Sequence, residues 1–188
     1  YNPGGVEGSD IWLRADIGPV NSGSGTSVFT WEDISGARTN NATTNGNFPP
    51  TYRNDVANNI NFNPVIEFDG IDDGLNYGND YAFIPAVNNG FHMFLVVQSD
   101  LSTNKTSQWA FDFGNALGQG YGMIVADDRM RGYTAGLQTL TENTISDYTD
   151  PRLVDFDVNF GTTSNLSLND SIVDSGTLST TQLENADI

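Results

Sequence analysis

The stretch NPVIEFDGIDDGLNY, Asn63–Tyr77, decides how this chain is read. Val65, Ile66 and Phe68 form a short apolar run with strand character. Asp69, Gly70, Asp72, Asp73 and Gly74 follow as an acidic turn, and a second run opens at Leu75. Two β-runs around a turn rich in Asp and Gly predict a hairpin, with Val65, Ile66 and Phe68 anchoring a sheet and Gly70 and Gly74 making the turn. The turn also gathers Asp69, Asp72 and Asp73 within five residues. Calcium takes roughly six to eight oxygens at about 2.3–2.6 Å, so such a turn is a candidate Ca2+ site, with Asn76, Asn79 and Asp80 just downstream. The spacing is not that of an EF-hand loop, and its terminal Glu is missing. The competing role is local: Asp69 and Asp72 bond the turn's own amides while Asp73 faces water.

Working outward, Ile11–Ile17 (IWLRADI) predicts a first strand, with Trp12, Arg14 and Asp16 on one face. Gly18–Gly25 reads as a loop, Val28–Trp31 as a second strand, and Asp33-Ile34-Ser35-Gly36 as the turn that stops it. Ala37–Asn47 is an Asn/Thr loop, and Pro49-Pro50 blocks a helix there. Phe91–Gln98 (FHMFLVVQ) is the most hydrophobic run and predicts a central strand buried on both faces. Ser107–Phe113 and Tyr121–Ala126 read as further strands, the latter with Met130–Ala135 as its hairpin partner. Arg152–Phe160 (RLVDFDVNF) alternates strictly, placing Val154, Phe156, Val158 and Phe160 on one side. That pattern is what a sheet with one packed and one wet face requires. Asn165–Val173 continues as a strand, and Gly176–Ile188 is polar and turn-like. No amphipathic helix, internal repeat or linker interrupts this order, so the expectation is one all-β domain, an antiparallel sandwich.

Composition narrows the partners. The 188 residues carry 24 Asp plus Glu against 7 Lys plus Arg, a net charge of −17. Such a field repels nucleic acid and anionic membrane surfaces. Cys is absent, which removes disulfides and thiol chemistry. No apolar run reaches the ~18 residues of a membrane span. Tyr1-Asn2-Pro3 shows no signal-peptide pattern and reads as a mature start or a boundary.

The motif order PGGV (Pro3–Val6), IWLRAD (Ile11–Asp16), WEDISG (Trp31–Gly36), PPTYR (Pro49–Arg53), NPVIEFDGIDDGL (Asn63–Leu75), FHMFLVVQ and the late GTLSTTQLENADI resembles the laminin-G-like, concanavalin A-like jelly-roll modules of large secreted Bacteroidetes proteins. The resemblance covers most of the chain. It implies an antiparallel jelly-roll β-sandwich at the bacterial cell surface, in gliding-motility or adhesin-like proteins exported by the type IX secretion system. In that family a further strand follows the segment like Gly176–Ile188 and closes the sheet. The expectation is therefore a fragment of a larger surface protein, one strand short, with an edge open to pairing.

Candidate ligand residues are aromatic or acidic. Trp109, Tyr121 and Tyr133 are candidates for an exposed stacking platform, with core packing as the alternative for each, while Trp12 and Trp31 read as core. Asp112 suits a calcium or sugar ligand or an outward strand position. Asp127 and Asp128 end a strand as ligands or as ion-pair partners of Arg129 and Arg131. Catalysis finds little footing. His92 is the only histidine and reads as a core residue, no Ser sits in a G-x-S-x-G elbow, and Glu67 stands without a second acid in a hydrolase pattern. The leading expectation is a non-catalytic adhesion module binding glycan or a surface protein, with the secretion machinery as a further partner. The rivals are a spacer, cap or secretion-cargo region, and, third, a glycoside hydrolase.

Overall fold

The computed structural model describes residues 9, 11–21, 25–35, 40–44, 46–76, 90–99, 108–114, 120–126, 129–134, 138–142 and 149–178. Among them the chain is all-β, with antiparallel sheets and no helix. It divides into two compact units, Tyr1–Ile84 and Pro85–Ile188.

The first unit holds β1 (Pro19–Asn21), β2 (Val28–Trp31), β3 (Ala42–Thr44), β4 (Thr51–Arg53), β5 (Val65–Glu67) and β6 (Leu75–Asn76). One sheet runs β1-β2-β3-β6, and β4 and β5 form a two-stranded sheet. Val28 and Ala42 are buried. Pro19 opens β1, a position where its missing N–H does no harm. The β4 ladder is tied to the segment entering β2 by Val28 N–H to Pro50 O (2.8 Å) and Tyr52 N–H to Thr26 O (2.7 Å).

Ile11–Ile17 is not the expected strand; β1 lies in the stretch expected to be loop. The reason is a competing set of partners. The buried Asp33 carboxylate accepts the N–H groups of Trp12 (2.9 Å) and Ser35 (2.8 Å), the Ser35 hydroxyl (2.8 Å) and the Asn40 N–H (3.4 Å). Arg14 O accepts from Gly18 N–H (3.1 Å) and Trp31 Nε1–H (2.9 Å). Local side-chain bonds thus take the backbone groups that a ladder would need. Trp12, Arg14 and Asp16 nevertheless meet as expected. Arg14 pairs with Asp16 at 2.5 Å and lies 5.5 Å from the Trp12 ring centre. Trp12 and Trp31 are half-buried, so neither is a fully enclosed core residue.

The second unit holds β7 (Phe91–Val97), β8 (Gln108–Gly114), β9 (Gly120–Ala126), β10 (Arg129–Thr134), β11 (Gln138–Thr141), β12 (Arg152–Val158), β13 (Thr163–Leu168) and β14 (Ser171–Thr177). Two four-stranded sheets run β11-β10-β9-β8 and β14-β13-β12-β7. Met123, Met130 and Leu140 of the first share one core with Val154, Phe156, Val158, Leu166 and Leu168 of the second, a sandwich-like arrangement. Their approach is close. A Cβ on Gly132 would stand 2.8 Å from the Phe156 ring, so only glycine lets the sheets meet there. Phe91 meets Phe156 edge-to-face at 5.6 Å. Thr141 N–H donates to Asp174 Oδ2 (2.8 Å), joining β11 to β14.

The alternation expected for Arg152–Phe160 holds along β12, where Val154, Phe156 and Val158 are fully buried and Asp155 and Asp157 are not. Two other expectations are corrected. β7 is buried on one face only: Phe91, Met93, Leu95 and Val97 turn to the core, while His92, Phe94 (61 % exposed) and Val96 (63 %) face out. Asn165–Val173 is two strands, folded back at Asn169-Asp170 with φ of 48° and 64°. Two consecutive left-handed residues make a type I′ turn, whose twist matches paired strands.

Candidate functional site

The acidic stretch takes its strands where the sequence places them and pairs them otherwise. β5 pairs with β4 (Tyr52 opposite Ile66), and β6 pairs with β3 (Thr44 opposite Leu75), so the turn joins two ladders and closes no hairpin. Its interior explains this. Asp69 Oδ1 accepts the N–H groups of Ile71 (2.7 Å), Asp72 (3.2 Å) and Asp73 (3.4 Å), and Asp73 Oδ2 accepts Asp69 N–H (2.9 Å). The carboxylates wind the chain into a compact corner that a two-residue β-turn does not provide. Gly70 takes φ of 67°, where glycine is favoured; Gly74 does not have a positive φ and faces open space. Phe68 is 44 % exposed and Ile71 81 %, so Phe68 does not anchor a sheet.

Roles within the turn differ from those assigned by sequence. Asp69 and Asp73 hold the amides, and Asp72 is exposed with its carboxylate outside these bonds. Carboxylate oxygens of Asp69, Asp72 and Asp73 all lie within 4.8 Å of one another. Burial raises the Asp73 pKa above the ordinary carboxylate range; the Asp69 N–H opposes that shift, while the charges of Asp69, Asp72 and Glu67 reinforce it. Oxygen-only donors this close could hold a hard divalent cation such as calcium, whose remaining ligands would be water or backbone oxygen. Glu67, the acid singled out within a strand, is exposed and paired with Arg53 at 2.5 Å.

A second polar cluster, missed in the sequence, sits on the outward face of β7 and β12. His92 Nε2 lies 2.5 Å from Asp155 Oδ1, and the His92 ring stands 4.3 Å from that of Phe94. His92 is therefore not a core residue. A shallow depression of about 250 Å³ adjoins it, lined by Gly90, Phe91, His92, Asp157, Val158 and Asn159. The signal was present: Asp155 and Asp157 alternate with buried residues, and a partner strand must set something opposite them. An imidazole held by a carboxylate supplies two members of a nucleophilic triad, and the described lining supplies no hydroxyl or thiol as the third.

Of the aromatic candidates, Tyr133 is buried, at 7 % exposure, and its ring covers Gly122, so it offers no open platform. Trp109 and Asp112 lie on β8 and Tyr121 on β9, with Asp112 and Tyr133 both opposite Gly122. The side chains of Trp109, Asp112 and Tyr121, and all of Asp127 and Asp128, lie outside the described residues. Asn79 and Asp80 also lie outside them. No protein-family model matches the chain, and neither a curated protein nor a solved structure matches it.

Proposed function

We propose that the chain is a non-catalytic recognition module of the laminin-G-like, jelly-roll sandwich type. It works outside the cell on a bacterial surface protein exported by a type IX system, and it binds a glycan or another surface protein. The observation that carries this reading is the exposed corner at Asp69, Asp72 and Asp73, where carboxylates converge on a connection between antiparallel ladders. Loops held by a rigid β-frame are where binding groups concentrate. Calcium at this corner would neutralise the repulsion and fix the loop for a ligand. The low Lys content and net charge of −17 support an extracellular setting.

Calcium titration followed by melting temperature tests the site. With the ion at about 100 times its dissociation constant, the stabilisation expected is ~2.7 kcal/mol. Asp72→Asn should abolish that gain while leaving the calcium-free fold intact, because Asp72 holds none of the turn's amides. Calcium-dependent binding on a glycan array supports the glycan version; inertness there with calcium-dependent capture of a surface protein supports the protein version. No calcium response together with no ligand of either kind would overturn the proposal.

A further inference from the structure

The connection from β4 to β5, residues 54–64, carries two of the most exposed apolar side chains among the described residues, Val56 at 97 % and Phe62 at 98 %. Neither is left out by disorder of the backbone around it. Asp55 Oδ1 accepts the N–H groups of Ala57 (3.1 Å) and Asn58 (3.2 Å), and Asp55 O accepts those of Asn58 (3.1 Å) and Asn59 (2.9 Å). Just beyond, Ile60 and Asn63 exchange both backbone bonds, at 3.0 and 2.9 Å. Asn61 and Phe62 between them stand at φ of 48° and 67°. This is a second type I′ turn, and its second central position ordinarily calls for glycine.

Phe62 is thus disfavoured twice in the isolated chain. A bulky side chain in the left-handed region is strained, and an aromatic ring in water forgoes its burial. The paired backbone bonds of Ile60 and Asn63 hold the turn, but the ring itself is almost wholly exposed and gains no burial. Strain that the surrounding structure holds in place tends to mark a binding position. Charge selects the occupant. Arg53 at the base is paired with Glu67, and the Asn58 side-chain amide, with the Ala57 and Asn58 N–H groups, holds the Asp55 carboxyl below the ordinary range. Asp55 is the one charged residue of the segment 54–64, on a chain of net charge −17. That field repels a second copy and an anionic bilayer and attracts a cationic surface.

We infer that residues 54–64 form a preordered docking knob, and that Phe62 and Val56 enter an apolar pocket of a partner protein whose rim is rich in Lys and Arg. This rests on the recognition-module reading and names the class of partner.

The probe is a displayed random-peptide library, panned on the intact chain at low salt and then measured against Phe62→Gly and Val56→Ser. Enriched peptides should combine aromatic or aliphatic residues with Lys or Arg, and should lose at least tenfold in affinity for both variants. Phe62→Gly should meanwhile melt no lower than the parent, because glycine suits the turn. A melting temperature lowered by several degrees would show that the ring serves the fold, and the inference would fail. It would fail equally if the peptides bound both variants as tightly as the parent, although the module reading would stand. Phe62-dependent binding to phosphatidylcholine vesicles would assign the knob to lipid instead, and Phe62-dependent self-association would assign it to a second copy. If nothing were enriched while a glycan bound, the inference alone would fall; if nothing bound at all, both would.

Discussion

The corner between β13 and β14 and the corner after β5 are both short, polar and acidic, yet they do opposite things. At the first, Asn169 and Asp170 sit one after the other in the left-handed region, and Leu168 comes back opposite Ser171. At the second, Gly70 alone has positive φ, and Asp69 winds three following amides onto its own carboxylate. The chain then leaves one ladder and enters another. What returns a strand onto its neighbour is the pair of left-handed residues, and the abundance of Asp and Gly does not decide it. The two corners also differ in support. β13 lies between β12 and β14 and buries Leu166 and Leu168, whereas the acidic turn is flanked by the exposed Phe68 and Ile71.

That difference in support sets the largest expected effect. Phe156 is fully buried, touches both sheets of its unit and lies in register with Leu166. Phe156→Ala should cost about 3–5 kcal/mol in urea denaturation, through lost burial and the cavity left behind. A loss below about 1 kcal/mol would mean that the sheets do not share the core described. A smaller effect falls on the corner itself. Asp170→Val puts a β-branched residue at φ of 64° and should cost about 1–2 kcal/mol, read in the same assay. Little or no change would show that the hairpin does not depend on its turn.

The smallest effect belongs to the acidic corner, and its sign depends on pH. Because the Asp73 pKa is raised, the folded state holds that proton more tightly than the unfolded chain does. The favourable contribution is present below the ordinary value of 3.8 and is lost as pH rises through the raised folded value. Asp73→Asn keeps an acceptor for the Asp69 N–H and removes one charge. Without calcium it should match the parent near pH 3 and gain roughly 0.3–0.5 kcal/mol at pH 7, a modest rise in melting temperature. Saturating calcium should reverse the order at pH 7. A parent that is the more stable at pH 7 without calcium would contradict the repulsion inferred at this corner.

Much of the fold is legible in the residues. β2 coincides with the predicted second strand, β9 and β10 pair as expected, and β12 shows its alternation in burial. These are places where period and local turn chemistry agree. The misreadings have a common physical origin. Trp12 and Arg14 look like strand residues, but Asp33 and Trp31, about twenty positions away, take their backbone partners. His92 looks buried because its neighbours are apolar, but β12 offers it Asp155 on the open face. Spacing alone brings the three acids of the candidate cation site together in one turn. Which of them hold amides and which is left over for a ligand follows from the turn's closure and not from its composition.

For Asn63–Tyr77 the division is plain. Local sequence determines that Val65–Glu67 and Leu75–Asn76 are extended and that an acidic, glycine-bearing corner lies between them, because strand propensity and Asx turns act over a few residues. Only the tertiary structure decides that these strands pair with β4 and β3 and not with each other. Ladder partners are chosen by which backbone groups remain unsatisfied once every corner has closed, and that is a property of the whole chain.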